Sequence, residues 1–242
     1  MMDRFWLALS FLTVLPARQT AYAPDSLGKA AVWFPAVGLL IGLLLWGLHS
    51  AAALLLGPLL AAVLTVAGWA VLTGGLHLDG LADCCDGLLV SAARERRLEI
   101  MRDPRTGSFA VVGLVLALLM KAAAIYSLPT AFPALLLAPV SARWWILLAA
   151  RQPAARESGL GRGFAAALTP SALTRAAILP LLLTAAALWF DWRSLVGLLL
   201  SGLACLLVLR LARARIGGVT GDVYGAVVEL TEIAFLIGLV HV

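Results

Sequence analysis

Charge is what this sequence has least of. Lys, Arg, Asp and Glu make up 13% of the 242 residues, against 62% hydrophobic ones. A water-facing surface needs far more charge than that, so a soluble domain is excluded, and none is legible anywhere along the chain. Cysteine is nearly absent too, with Cys84, Cys85 and Cys205 the full complement. Adjacent thiols rarely bridge each other, and the chain lacks the further Cys or His at fixed spacing that a thiolate metal site needs. All three read as small apolar fillers. Also missing are the apolar–polar alternation of a membrane barrel strand and any internal repeat.

What is there is a series of long apolar runs, with a mean hydropathy of +1.00. A spanning helix takes roughly 20 mainly apolar residues. Seven stretches qualify, at about 30–48, 51–72, 107–126, 131–150, 175–190, 194–212 and 223–242. The expected fold is an all-α polytopic integral membrane protein, one membrane-embedded domain over residues 1–242. Residues 4–16 are apolar but short and closed by Pro16, which suits an interfacial or re-entrant half-helix better than an uncleaved signal-like start. A polar connection with Pro24 and Asp25 follows, and Gly57-Pro58 falls near the start of the second run.

The net charge of +5 has a topological cause. If alternate loops share a side, one side collects fourteen of the eighteen basic residues and the other holds Arg193 alone. The remaining three, Arg4, Lys121 and Arg143, fall within apolar segments. The positive-inside rule therefore puts the crowded side in the cytoplasm and the C-terminus outside. Nucleic-acid affinity is not the reading of this surplus.

Three acids stand out against so apolar a background. In Thr73-Gly74-Gly75-Leu76-His77-Leu78-Asp79-Gly80-Leu81-Ala82-Asp83-Cys84-Cys85-Asp86-Gly87, the aspartates recur at i, i+4 and i+7. On a helix that spacing lines them along one stripe, where like charges repel. The stripe is either the solvated polar face of a loop helix or a site for a divalent cation; the apolar run before it favours the cation, and hard carboxylate oxygens favour Mg²⁺, with Asp79, Asp83 and Asp86 as ligands. Gly74-Gly75 breaks the preceding span, allowing a sharp turn or freeing N–H groups for phosphate. His77 could contact phosphate, relay a proton, or simply hydrogen-bond.

Further candidates lie along the chain. In the basic loop 91–106, Asp103 precedes Pro104 and is held extended, with Arg102 and Arg105 beside it. These are either positive-inside arginines or a clamp on phosphate oxygens with Asp103 joining the acids. Lys121 reads as a residue that snorkels outward, whereas Arg143, deeper in its span, must meet an acid or a substrate phosphate. The loop 151–174 is basic and glycine-rich but follows no strand, so it is no dinucleotide fingerprint. In the last run Asp222, Glu229 and Glu232 share one helix face, placing Asp222 and Glu229 among the metal-ligand candidates. Their alternative is pairing with Arg143 or Lys121. His49 and His241 read as interfacial.

The stretch from Gly74 to Gly87 closely resembles the signature of the cobalamin synthase (adenosylcobinamide-GDP ribazoletransferase) family. The likeness extends to Arg102-Asp103-Pro104-Arg105-Thr106-Gly107-Ser108-Phe109, where Pro104-Arg105 and the following Ala110 depart slightly from the family's wording. It resumes at Thr220-Gly221-Asp222 and runs through Glu229-Leu230-Thr231-Glu232. The resemblance implies a Mg²⁺-dependent enzyme of a bacterial cytoplasmic membrane, with its active site facing the cytoplasm. Its substrates would be adenosylcobinamide-GDP and α-ribazole or the 5′-phosphate, and its products adenosylcobalamin or its 5′-phosphate and GMP. Asp83, Asp86, Asp103 and His77 would be catalytic. Arg102, Arg105, Arg143, Gly74 and Gly75 would bind substrate, and a homo-oligomer is left open. Two other classes also place acids in membrane helices. A CDP-alcohol phosphotransferase carries Ala-Arg and a wider acid gap in its motif, which Asp79–Asp86 lacks. A secondary transporter would hold its acids nearer the midplane than these lie.

Overall fold

The computed structural model describes residues 2–18, 26–156 and 159–240. Pro24, Asp25 and His241 lie outside them. Among the described residues the regular elements are helical: α1 (Met2–Leu12), α2 (Ser26–Ala30), a 3-10 turn (Ala31–Trp33), α3 (Phe34–Leu56), α4 (Pro58–Leu72), α5 (Leu76–Leu89), α6 (Arg94–Ile100), α7 (Ser108–Tyr126), α8 (Ala131–Ala149), α9 (Leu160–Ala167), α10 (Pro170–Leu188), α11 (Arg193–Ile216) and α12 (Gly221–Gly238). This is an all-α polytopic membrane protein.

The seven expected runs correspond to α3, α4, α7, α8, α10, α11 and α12. Five described helical stretches are long and apolar enough to cross a bilayer unaided: Ser26–Leu56, α7, α8, α10 and α11. Helix α4 has 15 residues, about 22 Å at 1.5 Å per residue, less than a bilayer core of about 30 Å. It qualifies only together with α5, which leaves it at 92°. Helix α12 has 18 residues and carries Asp222, Glu229 and Glu232. Lipid would not tolerate those carboxylates, and α12 runs instead through the middle of the bundle with thirteen of its residues buried.

The hairpin joining α3 to α4 falls at Gly57-Pro58 rather than near residue 50. Gly57 takes φ 81° and Pro58 starts the next helix, so the reversal sits where the backbone permits it. His49 therefore lies inside α3, where its Nδ1 meets the Thr65 hydroxyl of α4 at 3.1 Å, instead of at a helix end. The short α1 ends in a segment whose Val14 N–H donates to the Leu72 carbonyl at 2.9 Å, joining the N-terminus to the end of α4.

The basic loop contains a helix that loop composition had hidden. Arg97, buried on α6, donates to the carbonyls of Gly87 and Leu88 at 3.1 and 2.8 Å and so closes the C-terminus of α5. Arg94 does the same for α11 through Ile216 at 2.8 Å.

Candidate functional site

The bend that carries the acid stripe is a backbone device. Gly74 and Gly75 have φ of 60° and 67°, a left-handed pair that turns the chain from α4 into α5. Their N–H groups already donate to Val71 and Ala70 at 3.0 and 2.9 Å. They shape the turn and have no free donors for phosphate, which corrects that expectation. Helix α5 thus leaves the span of α4 and lies across the end of the bundle.

There α5 crosses α12 with almost nothing between the backbones. A Cβ on Gly80 would sit 2.7 Å from the Asp222 carbonyl oxygen, and one on Gly225 would sit 2.9 Å from the His77 carbonyl oxygen. Glycine at both positions sets Asp79 and Asp83 of α5 beside Asp222 at the start of α12. Burial, followed by the charges of Asp222 and Asp79, raises the half-exposed Asp83 carboxyl from its ordinary value to about 7. Arg156 approaches this group, its Nη1 3.2 Å from Asp222 Oδ2 while Nη2 reaches the Leu98 carbonyl.

A cavity of about 320 Å³ opens beside this group, bordered by Asp79, Asp222, His77 and Arg156 among others. His77 is buried, and among the described residues its Nδ1 meets no partner. Burial, then the buried cations Arg143 and Lys121, holds the ring well below the usual histidine range and keeps it neutral. Ala154 borders the cavity, and its neighbours pair with Val219, through Ala155 N to Val219 O at 2.8 Å and Val219 N to Pro153 O at 2.9 Å. Arg156 owes its place to this pairing.

Other candidates are engaged elsewhere. Asp86 accepts from Gly107 N at 2.6 Å and Ala110 N at 2.9 Å, so its carboxylate serves as the N-terminal cap of α7. Gly107 has no room for a side chain because that carboxylate lies against it. Asp103 is gripped by Arg105 through Nε at 2.9 Å and Nη2 at 2.6 Å, which holds it well below the carboxylate range. That pair faces solvent, Arg102 is exposed alongside, and the loop does not bring Asp103 into the acid group.

Glu229 is not with the other acids. Two turns along α12 from Asp222, it is buried and pairs with Lys121 at 2.8 Å. Lys121 also reaches Glu232 at 2.5 Å and sits over the Trp69 ring at 4.3 Å. Lys121 therefore turns inward instead of snorkelling. Arg143, fully buried, meets Glu232, which answers its need for an acid inside the bundle rather than a phosphate. Cys84 is buried and Cys85 half-buried, and both are free, in keeping with fillers.

Among the described residues no three His, Cys, Asp or Glu side chains form a ready-made cation cage. Asp79, Asp83 and Asp222 nonetheless present hard carboxylate oxygens that could hold a divalent cation such as Mg²⁺ together with other oxygen ligands.

This geometry places the two motif segments, 74–87 and 220–232, in contact. Residues 4–240 match the family model described as cobalamin-5-phosphate synthase. The chain belongs to the cobalamin-5-phosphate synthase family. An adenosylcobinamide-GDP ribazoletransferase of Brevibacillus brevis is 38% identical over 99% of this chain and 98% of its own length. Those of Stutzerimonas stutzeri and Pseudomonas fluorescens are 44% and 43% identical, over 96% and 97% of this chain and 96% and 98% of their lengths. No solved structure matches significantly. Arg156 and the aromatic side chains of the cavity carry no local sequence signal, since Arg156 is one arginine of a basic loop and Phe11, Phe34, Phe164 and Tyr224 lie one each on four separate helices.

Proposed function

We propose that this protein is an adenosylcobinamide-GDP ribazoletransferase. It joins the cobinamide phosphate of adenosylcobinamide-GDP to α-ribazole, or to its 5′-phosphate, and releases GMP. The observation that carries this reading is the meeting of Asp79 and Asp83 with Asp222 across a glycine-on-glycine helix crossing, beside a cavity furnished with Arg156. Full-length similarity to relatives bearing that name supports it.

In the reaction a ribazole hydroxyl attacks the cobinamide-linked phosphorus of the diphosphate and GMP departs with the bridging oxygen. Such transfers depend on positioning and charge neutralisation more than on covalent catalysis. Asp79, Asp83 and Asp222 are the residues that would hold Mg²⁺, which supplies charge neutralisation on the diphosphate. Arg156 is placed to draw phosphate oxygens, its hold on Asp222 being loose enough to share. The hydroxyl proton has Asp83 as its acceptor, a carboxyl whose affinity for a proton is raised by burial and by the charges of Asp222 and Asp79. Asp86 orders α7 against the site and takes no proton.

The site faces the cytoplasm of a bacterial inner membrane, in keeping with the fourteen basic residues gathered in loops on that side. The test is purified protein with both substrates and Mg²⁺. GMP release that needs all three is expected. Solute uptake into sealed vesicles without any GMP would overturn the assignment in favour of a transporter.

A further inference from the structure

The outward side of α11 runs from leucines onto two arginines. Leu195, Leu199, Leu203 and Leu206 are exposed. At about 3.6 residues per turn they fall within an arc of about 80°, and Arg210 and Arg213 continue the same arc. Both arginines are exposed, and among the described residues neither side chain has a hydrogen bond or an ion pair. Their basic neighbours are engaged with protein. Arg94 and Arg97 donate to helix carbonyls, Arg156 meets Asp222, and Arg96 pairs with Glu99 at 2.9 Å. The turn between α10 and α11 sets the depth, for Trp189, Phe190 and Trp192 are exposed there, as aromatic side chains are at a headgroup layer. Counted from Trp192 at about 1.5 Å per residue, Arg210 lies about 27 Å and Arg213 about 32 Å along the helix. A hydrocarbon core is about 30 Å thick, so both guanidinium groups reach the opposite headgroup layer.

We infer that Arg210 and Arg213 hold the phosphate of an anionic phospholipid whose acyl chain lies along Leu203 and Leu206. Like charges three residues apart on a helix repel, and a phosphate seated between them satisfies both through charge-assisted hydrogen bonds. Arginines in a loop could spread apart into water, but the helix fixes these two side by side. Charge and apolar surface are continuous here, which suits a ligand that carries both. A free phosphate would leave the leucines uncovered. A zwitterionic lipid would bring its own cation against the arginines, whereas an anionic headgroup brings net negative charge. The site also adjoins the turn into α12, since the Gly217 N–H donates to the Arg213 carbonyl at 3.1 Å. A lipid bound there rests against the segment that leads to Asp222.

The test uses full-length protein in a neutral detergent, titrated with dioleoylphosphatidylglycerol or dioleoylphosphatidylcholine and read by native mass spectrometry. Wild type is expected to bind the phosphatidylglycerol more tightly. Arg213→Gln should weaken that binding about fivefold, and Arg210→Gln with Arg213→Gln roughly 25-fold, with phosphatidylcholine binding unchanged. Lysine at both positions should retain the preference. Arg215→Gln removes the same charge from the other side of α11 and should leave phosphatidylglycerol binding as it is. The substituted side chains are exposed, so every variant should elute from size exclusion as wild type does. Equal affinity of wild type for the two lipids would overturn the inference. So would equal losses in Arg213→Gln and Arg215→Gln, which would reduce the effect to net charge.

Discussion

Helix α12 carries two sets of acids that the chain treats in opposite ways. Glu229 and Glu232 lie in the bundle interior against Lys121 and Arg143, two carboxylates balanced by two cations and sealed from solvent. Asp222, at the same helix's start, faces Asp79 and Asp83 with Arg156 as its bonded cation, partly open to a cavity. The balanced set positions α12 against α7 and α8. The second set gathers three carboxylates beside open space, one of them bonded to Arg156, an arrangement that could take a divalent cation. Acids alone do not mark a site; acids crowded at a cavity, and not locked into buried ion pairs, do.

The sharpest way to break this contrast is to unbalance the interior. Arg143→Met leaves Glu232 buried beside Lys121 alone and should cost about 3–5 kcal/mol, read as lost thermal stability in detergent. Replacing Lys121 and Glu229 together by Met and Leu should recover most of the loss caused by Lys121→Met alone. In the exposed set the effect should fall on turnover instead. Asp83→Asn should lower Mg²⁺-dependent GMP release by about a hundredfold or more, while the protein inserts normally and loses no stability.

A smaller effect is expected where an acid of the stripe has a structural duty. Asp86→Ala removes the cap of α7 and should cost about 1–2 kcal/mol, accompanied by reduced rather than abolished turnover. The smallest change concerns pH. The Asp83 carboxyl, raised to about 7 in the folded protein from 3.8, binds a proton that the unfolded chain releases between those values. Stability without divalent ions should therefore fall as pH rises through that window. Melting in EDTA should be higher at pH 5.5 than at pH 8, and Asp83→Asn should flatten the difference.

The apolar runs and the i, i+4, i+7 aspartates were legible because both are periodic signals along one helix. The split between the two acid sets on α12 was not. Asp222, Glu229 and Glu232 share a face, and only the tertiary positions of Lys121 and Arg143 separate them. Asp86 looked equal to Asp79 and Asp83 until the chain after Thr106 folded back onto it. The aromatic side chains of the cavity, Phe11, Phe34, Phe164 and Tyr224, come from four places, which no local pattern announces. The α3–α4 reversal was misplaced because the apolar run continues through residues 49–56, and Gly57-Pro58 alone marks where it stops.

The crossing of Gly80 and Gly225 has a consequence for how such an enzyme can fail. The bite of its acidic jaws is fixed by two absent methyl groups. One added carbon at either place would pry the jaws open with every charged residue still present, so activity here can be lost through geometry alone.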